Sequence, residues 1–200
     1  MSIKNIVLKV KILFKGIQED KFYLFNKIKQ KIKQEQVYFY VYKGVKSGLS
    51  RDDISIRKIT LDEVFDFYEK EGGLTESNRE FYFKVVPIGE RVPWGLFNSK
   101  MELASIMFIV NPTPEYVPNF NAGLKEKILV LLDARTRKIH KGNGYYPMLL
   151  KAIAEQYPDV SVLGLANDWN IASQKGLIKS GYVHFATRFG TQKFKWISVQ

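Results

Sequence analysis

Two short segments in the second half of the chain have residue types and spacing suited to binding a charged ligand. The first, at 141–151, places two glycines before an apolar run, Lys-Gly-Asn-Gly-Tyr-Tyr-Pro-Met-Leu-Leu-Lys. Glycine lets the backbone approach a ligand closely and adopt positive φ. A helix that starts here would offer unpaired N–H groups to a phosphate or diphosphate. The spacing alone is weak evidence, because a plain turn between a strand and a helix has the same composition.

The second segment, at 170–182, reads Asn-Ile-Ala-Ser-Gln-Lys-Gly-Leu-Ile-Lys-Ser-Gly-Tyr. We expect Asn170 to leave a strand, where its amide can bond locally or reach a ligand. Ser173 caps or flanks the helix that follows, and Gly181 ends that helix in the left-handed conformation. A capped helix ending in glycine explains three of these positions but not all of them at this spacing.

The neighbouring elements would bring the two segments together. Strands are predicted at 127–133 and 160–165, with the glycine loop and its helix between them, which indicates a parallel crossover. Upstream, 37–42 and 54–60 have the composition or alternation of strands. Thr60 then starts a helix.

Three further features complete the prediction upstream of the crossover. Glu63 completes a capping box with Thr60. Segments 94–97 and 101–110 flank Asn-Ser-Lys and predict a hairpin. Three prolines make 111–118 a loop.

Taken together, the segments resemble the acyl-coenzyme A core of the GNAT superfamily of N-acetyltransferases over about residues 52–190. In the family pattern Arg/Gln-x-x-Gly-x-Gly/Ala, Lys141, Gly144 and Tyr146 take the defined positions, so the first and last depart from it. Residues 170–182 are similar to the family's Asn-x-Ala-Ser…Lys-x-Gly-Phe. The stretch 144–150 resembles a branch associated with bacterial surface-polysaccharide synthesis.

This resemblance implies an α/β (α+β) fold: a mixed, mostly antiparallel central sheet with flanking helices and a splayed βαβ coenzyme A site. It implies transfer of an acetyl group from acetyl-CoA, or of another acyl group, to a small-molecule primary amine by direct attack. The acceptor suggested by the branch is an amino sugar, with an aminoacyl or protein amine as the alternative. The residues expected to bind the coenzyme are Ala134, Thr136, Lys141, Gly142, Asn143, Gly144, Tyr145, Tyr146, Asn170 and Ser173.

For catalysis, Asp133 is the acidic residue expected nearest the thioester and is the candidate base, with Glu102 and His184 as weaker candidates. Many relatives place a tyrosine seven residues after the asparagine, where this chain has Leu177. The general acid is then water or one of three tyrosines: Tyr145, Tyr146 and Tyr182. Arg135, Arg137 and Lys138 either contact phosphates or are exposed loop charges.

The alternative function is a non-catalytic module with the same fold that senses acyl-CoA or binds a partner. Leu177 and Tyr146 favour it, whereas the intact 170–181 segment argues against it. Nucleic-acid binding rests on lysines alone, without a recognisable motif, and is not expected.

The basic charge of the chain is concentrated at its N-terminus. Residues 1–50 hold eleven lysines against three acidic residues, whereas the other 150 hold 20 basic against 17 acidic ones, within a net charge of +11. We therefore predict a basic helical and strand extension at 1–50 and an acyltransferase domain at 51–200. Amphipathic spacing within 1–36 is compatible with packing on the domain, with a homodimer contact, or with an anionic membrane surface.

Cysteine and histidine usage limits the remaining function classes. With no cysteine and only two histidines, neither a metal site nor a cysteine nucleophile is expected. The lack of cysteine is compatible with a cytoplasmic location, to which membrane contact by 1–36 would add a peripheral one.

Overall fold

One sheet organises the part of the chain that the computed structural model describes, residues 35–44, 51–71, 73–112, 124, 127–190 and 195–199. Its strands are β1 Glu35–Tyr42, β2 Ser55–Lys58, β3 Arg91–Phe97, β4 Leu103–Val110, β5 Ile128–Thr136, β6 Ser161–Asn167, β7 Tyr182–Gly190 and β8 Lys195–Val199. They are ordered β2-β3-β4-β5-β6-β1-β7-β8. Among the described pairs, β5 and β6 run parallel and the others antiparallel. The predicted mixed, mostly antiparallel sheet is confirmed.

Helices cover both faces of this sheet. They are α1 Leu61–Glu71, α2 Glu76–Val85, α3 Tyr145–Glu155 and α4 Ile171–Lys179, with a short 3₁₀ turn at Lys138–His140. On one face α3 and α4 bury Met107, Leu131 and Ala166. On the other, α1 and α2 pack on Ile106 and Phe108. Successive residues of β4, such as Ile106 and Met107, lie on opposite faces because side chains alternate along a strand.

The capping box predicted at the start of α1 is present. The backbone N–H of Glu63 donates to Thr60 Oγ1 at 3.2 Å, and the N–H of Thr60 donates to Glu63 Oε2 at 2.8 Å. The hairpin is also confirmed, because β3 pairs antiparallel with β4 around a turn at 98–102. In that turn Asn98 Oδ1 accepts from the N–H groups of Lys100 and Glu102.

The strand at 35–42 corrects the predicted domain boundary. The sequence places it in an extension outside the domain, yet β1 is hydrogen-bonded to β6 on one edge and to β7 on the other. Its sequence is β-branched and aromatic, which suits a strand buried on both faces. Residues 35–42 therefore belong to the central sheet. The predicted helical part of the N-terminal extension, within 1–34, and residues 113–118 of the loop predicted at 111–118 lie outside the described residues, so these stay predictions.

One helix is not predicted from the sequence. In α2, Thr75 is the N-cap, and its hydroxyl accepts from the N–H of Asn78 at 3.2 Å. Most of this helix is exposed and only Tyr82 is buried, so the apolar period that normally indicates a helix is weak. Within the part of the chain that is described, no helix is long and apolar enough to cross a membrane.

Candidate functional site

The parallel strands β5 and β6 separate halfway along their length. Their pairing runs from Ile128–Ser161 to Leu131–Gly164, after which β5 continues to Thr136 and β6 to Asn167. Beyond that point each strand stays paired on its other edge, β5 to β4 and β6 to β1. The sheet is therefore open between residues 132–136 and 165–167, which we call the slot.

A bulge in β5 explains where the slot begins. The β4–β5 register shifts between Ile106 and Phe108, so Asp133 and Ala134 have no partner in β4. Asp133 also has a φ of 52°, which is uncommon for a residue other than glycine. A bulge bends its strand and increases local twist, which turns β5 away from β6.

A cavity of about 360 Å³ fills the slot and is lined from both faces of the sheet. Tyr146 and Leu150 of α3 border it on one face. Val37 and Arg188, paired across β1 and β7, border it on the other. The slot can therefore admit one ligand from the α3–α4 face and a second from the opposite face.

A second cavity, of about 470 Å³, lies on the α3–α4 face at the start of α3. It is lined by the glycine loop, by the beginning of α4 and by the end of β5. Four residues line both cavities: Ala134, Tyr146, Asn170 and Ser173. An extended ligand could therefore lie along both.

The loop before α3 provides unpaired hydrogen-bond donors. Gly142 and Gly144 have φ values of 87° and 76°, which favour glycine. None of the backbone amides from Gly142 to Tyr146 has a hydrogen-bond partner among the described residues; the first helical bond runs from Met148 N to the Gly144 carbonyl. A Cβ on Gly142 would meet no atom within 4 Å. These open, unpaired amides at a helix N-terminus fit the diphosphate of a coenzyme A.

Tyr146 stands where the family pattern has a small residue, and its side chain is accommodated by α4. A Cβ on Gly176 would lie 2.4 Å from Tyr146 Cε1, so the tyrosine ring lies directly on the glycine. Its hydroxyl is 2.9 Å from Ser173 Oγ. The ring is thereby turned to α4, which leaves the loop amides open. Burial raises the pKa of Tyr146 to about 12.

The start of α4 uses Asn170 as its cap, which refines the prediction for Ser173. Asn170 Oδ1 accepts from the Ser173 N–H at 3.1 Å, so Ser173 lies in the first turn and is not the cap. Its hydroxyl is thus directed to Tyr146. Gly181 ends α4 with a φ of 92°, as predicted.

Asp133 lines the slot cavity and forms an ion pair with Arg91. Its side chain is 44% exposed, whereas that of Arg91 is 13% exposed. Arg91 also lies over the Phe81 ring, 4.8 Å from its centroid. The guanidinium is therefore held by α2 and orients the carboxylate at the bulge.

The three tyrosines considered as general acids differ in where their hydroxyls lie. Tyr182 is 2% exposed and its hydroxyl donates to the Leu150 carbonyl, inside the core. Tyr145 borders the second cavity only, with its ring edge-on to His140. Tyr146 alone of these three lines both cavities. Position 177 cannot supply the acid, since Leu177 is fully buried against Gly164.

The weaker base candidates lie away from the slot cavity. Glu102 accepts a hydrogen bond from Asn98, which holds its pKa below the ordinary value, and so it is a poor base. His184 Nε2 is 2.9 Å from both the Ala186 carbonyl and Thr187 Oγ1. Neither residue lines a cavity at the slot.

The predicted site residues are close together in space. Those that line one or both cavities are Asp133, Ala134, Thr136, Lys141, Gly142, Gly144, Tyr145, Tyr146, Asn170 and Ser173. Asn143 lines neither. No sequence pattern indicates Val37 and Arg188, because they come from strands remote in sequence that pair across the sheet. Within the described residues no group of acidic or histidine side chains could hold a metal ion.

The fold is similar to those of solved acetyltransferases. A GNAT-family acetyltransferase from Colwellia psychrerythraea is 14% identical with a TM-score of 0.58, over 84% of this chain and 59% of that one. One from Streptococcus agalactiae is 15% identical with a TM-score of 0.54, over 76% of this chain and 99% of that one. An aminoglycoside 6'-N-acetyltransferase from Acinetobacter baumannii is 11% identical with a TM-score of 0.51, over 65% and 90%.

At these identities the likeness concerns the fold: the chain has the fold of GNAT acetyltransferases, and the predicted fold class is confirmed. The chain spans just under three fifths of the Colwellia structure. No family model matches the sequence, and no curated protein matches it.

Proposed function

We propose that the protein transfers an acetyl group, or another acyl group, from its coenzyme A thioester to a primary amine. The observation that carries the proposal is the slot, an opening through the sheet that continues into a loop of five unpaired amides. The solved structures with this fold include acetyltransferases, which supports the same class of reaction. The donor would lie on the α3–α4 face and the acceptor would approach from the other face.

The donor would be held by residues of both cavities. The amides of 142–146 and the ammonium of Lys141 would bind the diphosphate. Acetyl-CoA supplies an electrophilic thioester carbonyl and a thiol leaving group. Asp133 and Ala134 have no register partner in β4, and their N–H groups would stabilise negative charge on the carbonyl oxygen.

Asp133 and Tyr146 would carry out the proton transfers. Asp133, oriented by Arg91, would attract the acceptor's ammonium and take a proton from the attacking nitrogen. The Tyr146 hydroxyl, held by Ser173, would give a proton to the departing sulfur. Because only a neutral amine can attack, the ammonium would first lose one proton through Asp133 to water. As the C–N bond forms and the C–S bond breaks, a second proton would leave the nitrogen for Asp133 while the Tyr146 proton reaches the sulfur. Water would return the proton on Asp133 to Tyr146, so the overall reaction releases one proton. A pKa of about 12 keeps Tyr146 in the proton-donating form at neutral pH.

The acceptor we propose is an amino sugar of surface-glycan synthesis. Its support is the resemblance of 144–150 to that branch of the superfamily. A nucleotide-linked amino sugar and a lipid-linked one both agree with this resemblance.

A non-catalytic acyl-CoA-binding module is the second candidate. The observation in its favour is Leu177, which is fully buried and removes the hydroxyl that many relatives have at that position. Binding of acetyl-CoA without thiol release in the presence of any amine would support it.

The first test is thermal unfolding with and without about 1 mM acetyl-CoA, in the wild type and in two tryptophan variants. A ligand at about 100 times its dissociation constant adds roughly 2.7 kcal/mol to the free energy of unfolding. Gly142→Trp should abolish that increase. Gly44→Trp is the matched control: both glycines have positive φ, and a Cβ added at either would meet no atom within 4 Å, so the backbone strain is similar. Gly44 follows the end of β1 remote from the slot.

Thiol release on addition of an amine panel then tests transfer. A shift that Gly44→Trp keeps and Gly142→Trp loses, together with amine-dependent thiol release, is the expected result. Absence of any shift with several acyl-CoAs would refute the proposal.

A further inference from the structure

Charged side chains surround the slot on the face away from α3 and α4. Asp133, Arg91, Arg135 and Arg188 all belong to this face, which we call the acceptor mouth. Arg91 contacts Phe81 of α2, and Arg135 lies over Tyr68 of α1. Arg188 lines the slot cavity beside Val37. Of these four residues, Asp133 and Arg188 line the slot cavity, and Arg91 and Arg135 lie near Asp133 on the same face.

Three of these charges are close enough to act on one hydroxyl. Burial raises the pKa of Tyr68 and is the largest influence on it. The hydrogen bond with Tyr82 and the positive charges of Arg135 and Arg91 lower this pKa, whereas the negative charge of Asp133 raises it. The Tyr68 and Tyr82 hydroxyls are 3.1 Å apart in a buried contact. The charges thus form one cluster at the mouth.

The single carboxylate of this cluster is already paired. Asp133 forms its ion pair with Arg91, so of the three charges that act on Tyr68 the positive charge of Arg135 remains. Arg135 has no carboxylate partner among the residues the structure describes. Because only Ala134 separates Asp133 from Arg135 along the strand, one small ligand can reach both.

The Arg135 guanidinium is held in position. It lies 5.1 Å from the centroid of the Tyr68 ring, and its Nη1 would be 3.0 Å from a Cβ on Gly73. The guanidinium is planar, and its N–H groups can bind two oxygens of one anion. Little side-chain entropy is then lost on binding.

We propose that the acceptor amine carries an anionic group, a phosphate or a carboxylate, which Arg135 binds at the acceptor mouth. This inference rests on the proposed function and specifies its acceptor. The ammonium of the acceptor lies at Asp133 and the anionic group at Arg135, so the two ends are recognised by opposite charges. A polycationic amine meets net positive charge here and is a poor acceptor.

The test compares amines that differ only in the anionic group. Glucosamine 6-phosphate is compared with glucosamine, L-lysine with cadaverine, and spermidine serves as a polycation. The proteins are the wild type, Arg135→Gln and Arg79→Gln. Arg79 is the matched control, because it also lies over an aromatic ring, 4.9 Å from that of Phe65, but on the outer side of α1 and α2. Readouts are kcat/KM by thiol release and thermal shift by each amine alone.

We expect the wild type to prefer at least one amine that carries an anionic group over its counterpart without that group by about tenfold or more, as a charged hydrogen bond provides. Arg135→Gln should remove that preference by lowering kcat/KM for the substrate with the anionic group, leaving the value for its counterpart within about twofold. Arg79→Gln should behave as the wild type. The pair of substrates that differs by a phosphate and the pair that differs by a carboxylate together show which anionic group is bound.

Equal use of both members of each pair, a preference for spermidine, or an unchanged ratio in Arg135→Gln would overturn the inference. The acetyl-CoA shift distinguishes this failure from failure of the proposed function. If that shift is present and the preference is absent, the anionic acceptor is wrong and the transferase stands. If the shift is absent, the amine-only thermal shifts still decide whether Arg135 binds the anion.

Discussion

Replacing Gly176 by alanine tests the arrangement of the site through one methyl group. The added Cβ would lie 2.4 and 2.5 Å from two ring carbons of Tyr146, whereas carbon atoms pack at about 3.5–4.0 Å. The ring must therefore shift by roughly an ångström, which also breaks its 2.9 Å contact with Ser173 Oγ. Overpacking costs about 1–3 kcal/mol and the lost hydrogen bond about 1 kcal/mol.

Helix propensity acts in the opposite direction. Alanine is favoured over glycine inside a helix by about 1 kcal/mol. The net expectation for Gly176→Ala is a loss of about 1–3 kcal/mol, or a fall in Tm of about 2–4 °C per kcal/mol for a domain of this size. In a Tyr146→Ala background the clash is absent, and the same substitution should stabilise by about 1 kcal/mol.

A double-mutant cycle measured by urea unfolding compares the four proteins. A change of sign between the two backgrounds shows that Tyr146 lies on Gly176. If Gly176→Ala stabilises the protein that retains Tyr146, the ring does not contact this glycine and the position assigned to Tyr146 between the two cavities is wrong. Acetyl-CoA shifts measured on the same proteins report whether the displaced ring enters the second cavity.

Four further predictions concern single residues. Tyr146→Phe keeps the ring but removes the hydroxyl, and it should lower the rate of thiol release by about 100-fold or more with a similar KM for acetyl-CoA. Because the folded pKa of Tyr146 is raised to about 12, stability should fall as pH rises from about 10 to 12, and Tyr146→Phe should reduce this slope in unfolding measured against pH. Gly164→Ala should destabilise by about 1–3 kcal/mol, since its Cβ would be 2.2 Å from Leu177 Cδ2, and Leu177→Ala should relieve the effect in urea unfolding. Thr60→Ala should cost about 1 kcal/mol by removing the cap of α1 while leaving the acetyl-CoA shift unchanged.

The parts of the fold that could be predicted are those determined by neighbouring residues. The capping box at Thr60, the positive φ of Gly144 and Gly181 and the strand–loop–helix order around them depend on local backbone chemistry. The position of β1 could not be predicted, because pairing with β6 and β7 joins segments more than 100 residues apart. Arg188 reaches the slot only through that pairing.

Contacts between side chains of different elements are a second part of the site that local sequence patterns do not indicate. Tyr146 departs from the family pattern in isolation, but it contacts a glycine on another helix that leaves room for its ring. Leu177 and Gly164 form a similar pair between α4 and β6. Each large side chain is matched by a missing Cβ in a different element, which a motif confined to one segment cannot indicate.

The pairs Tyr146–Gly176 and Leu177–Gly164 both concern which helix supplies the hydroxyl that would give a proton to the departing sulfur. The family pattern that the sequence resembles has a small residue at the start of α3, and many of its members have a tyrosine on α4, whereas this chain has Tyr146 on α3 and Leu177 on α4. The Tyr146 hydroxyl nevertheless ends 2.9 Å from the first turn of α4, beside the slot. If the reaction needs one phenol hydroxyl beside the first turn of α4, this chain supplies it from Tyr146 of α3 and not from a tyrosine of α4. Leu177→Tyr should then give no gain in rate, because the buried side chain lies against Gly164 and a larger ring would strain the core instead. Faster thiol release by a Leu177→Tyr protein of unchanged stability would show that the hydroxyl of Tyr146 does not serve this role.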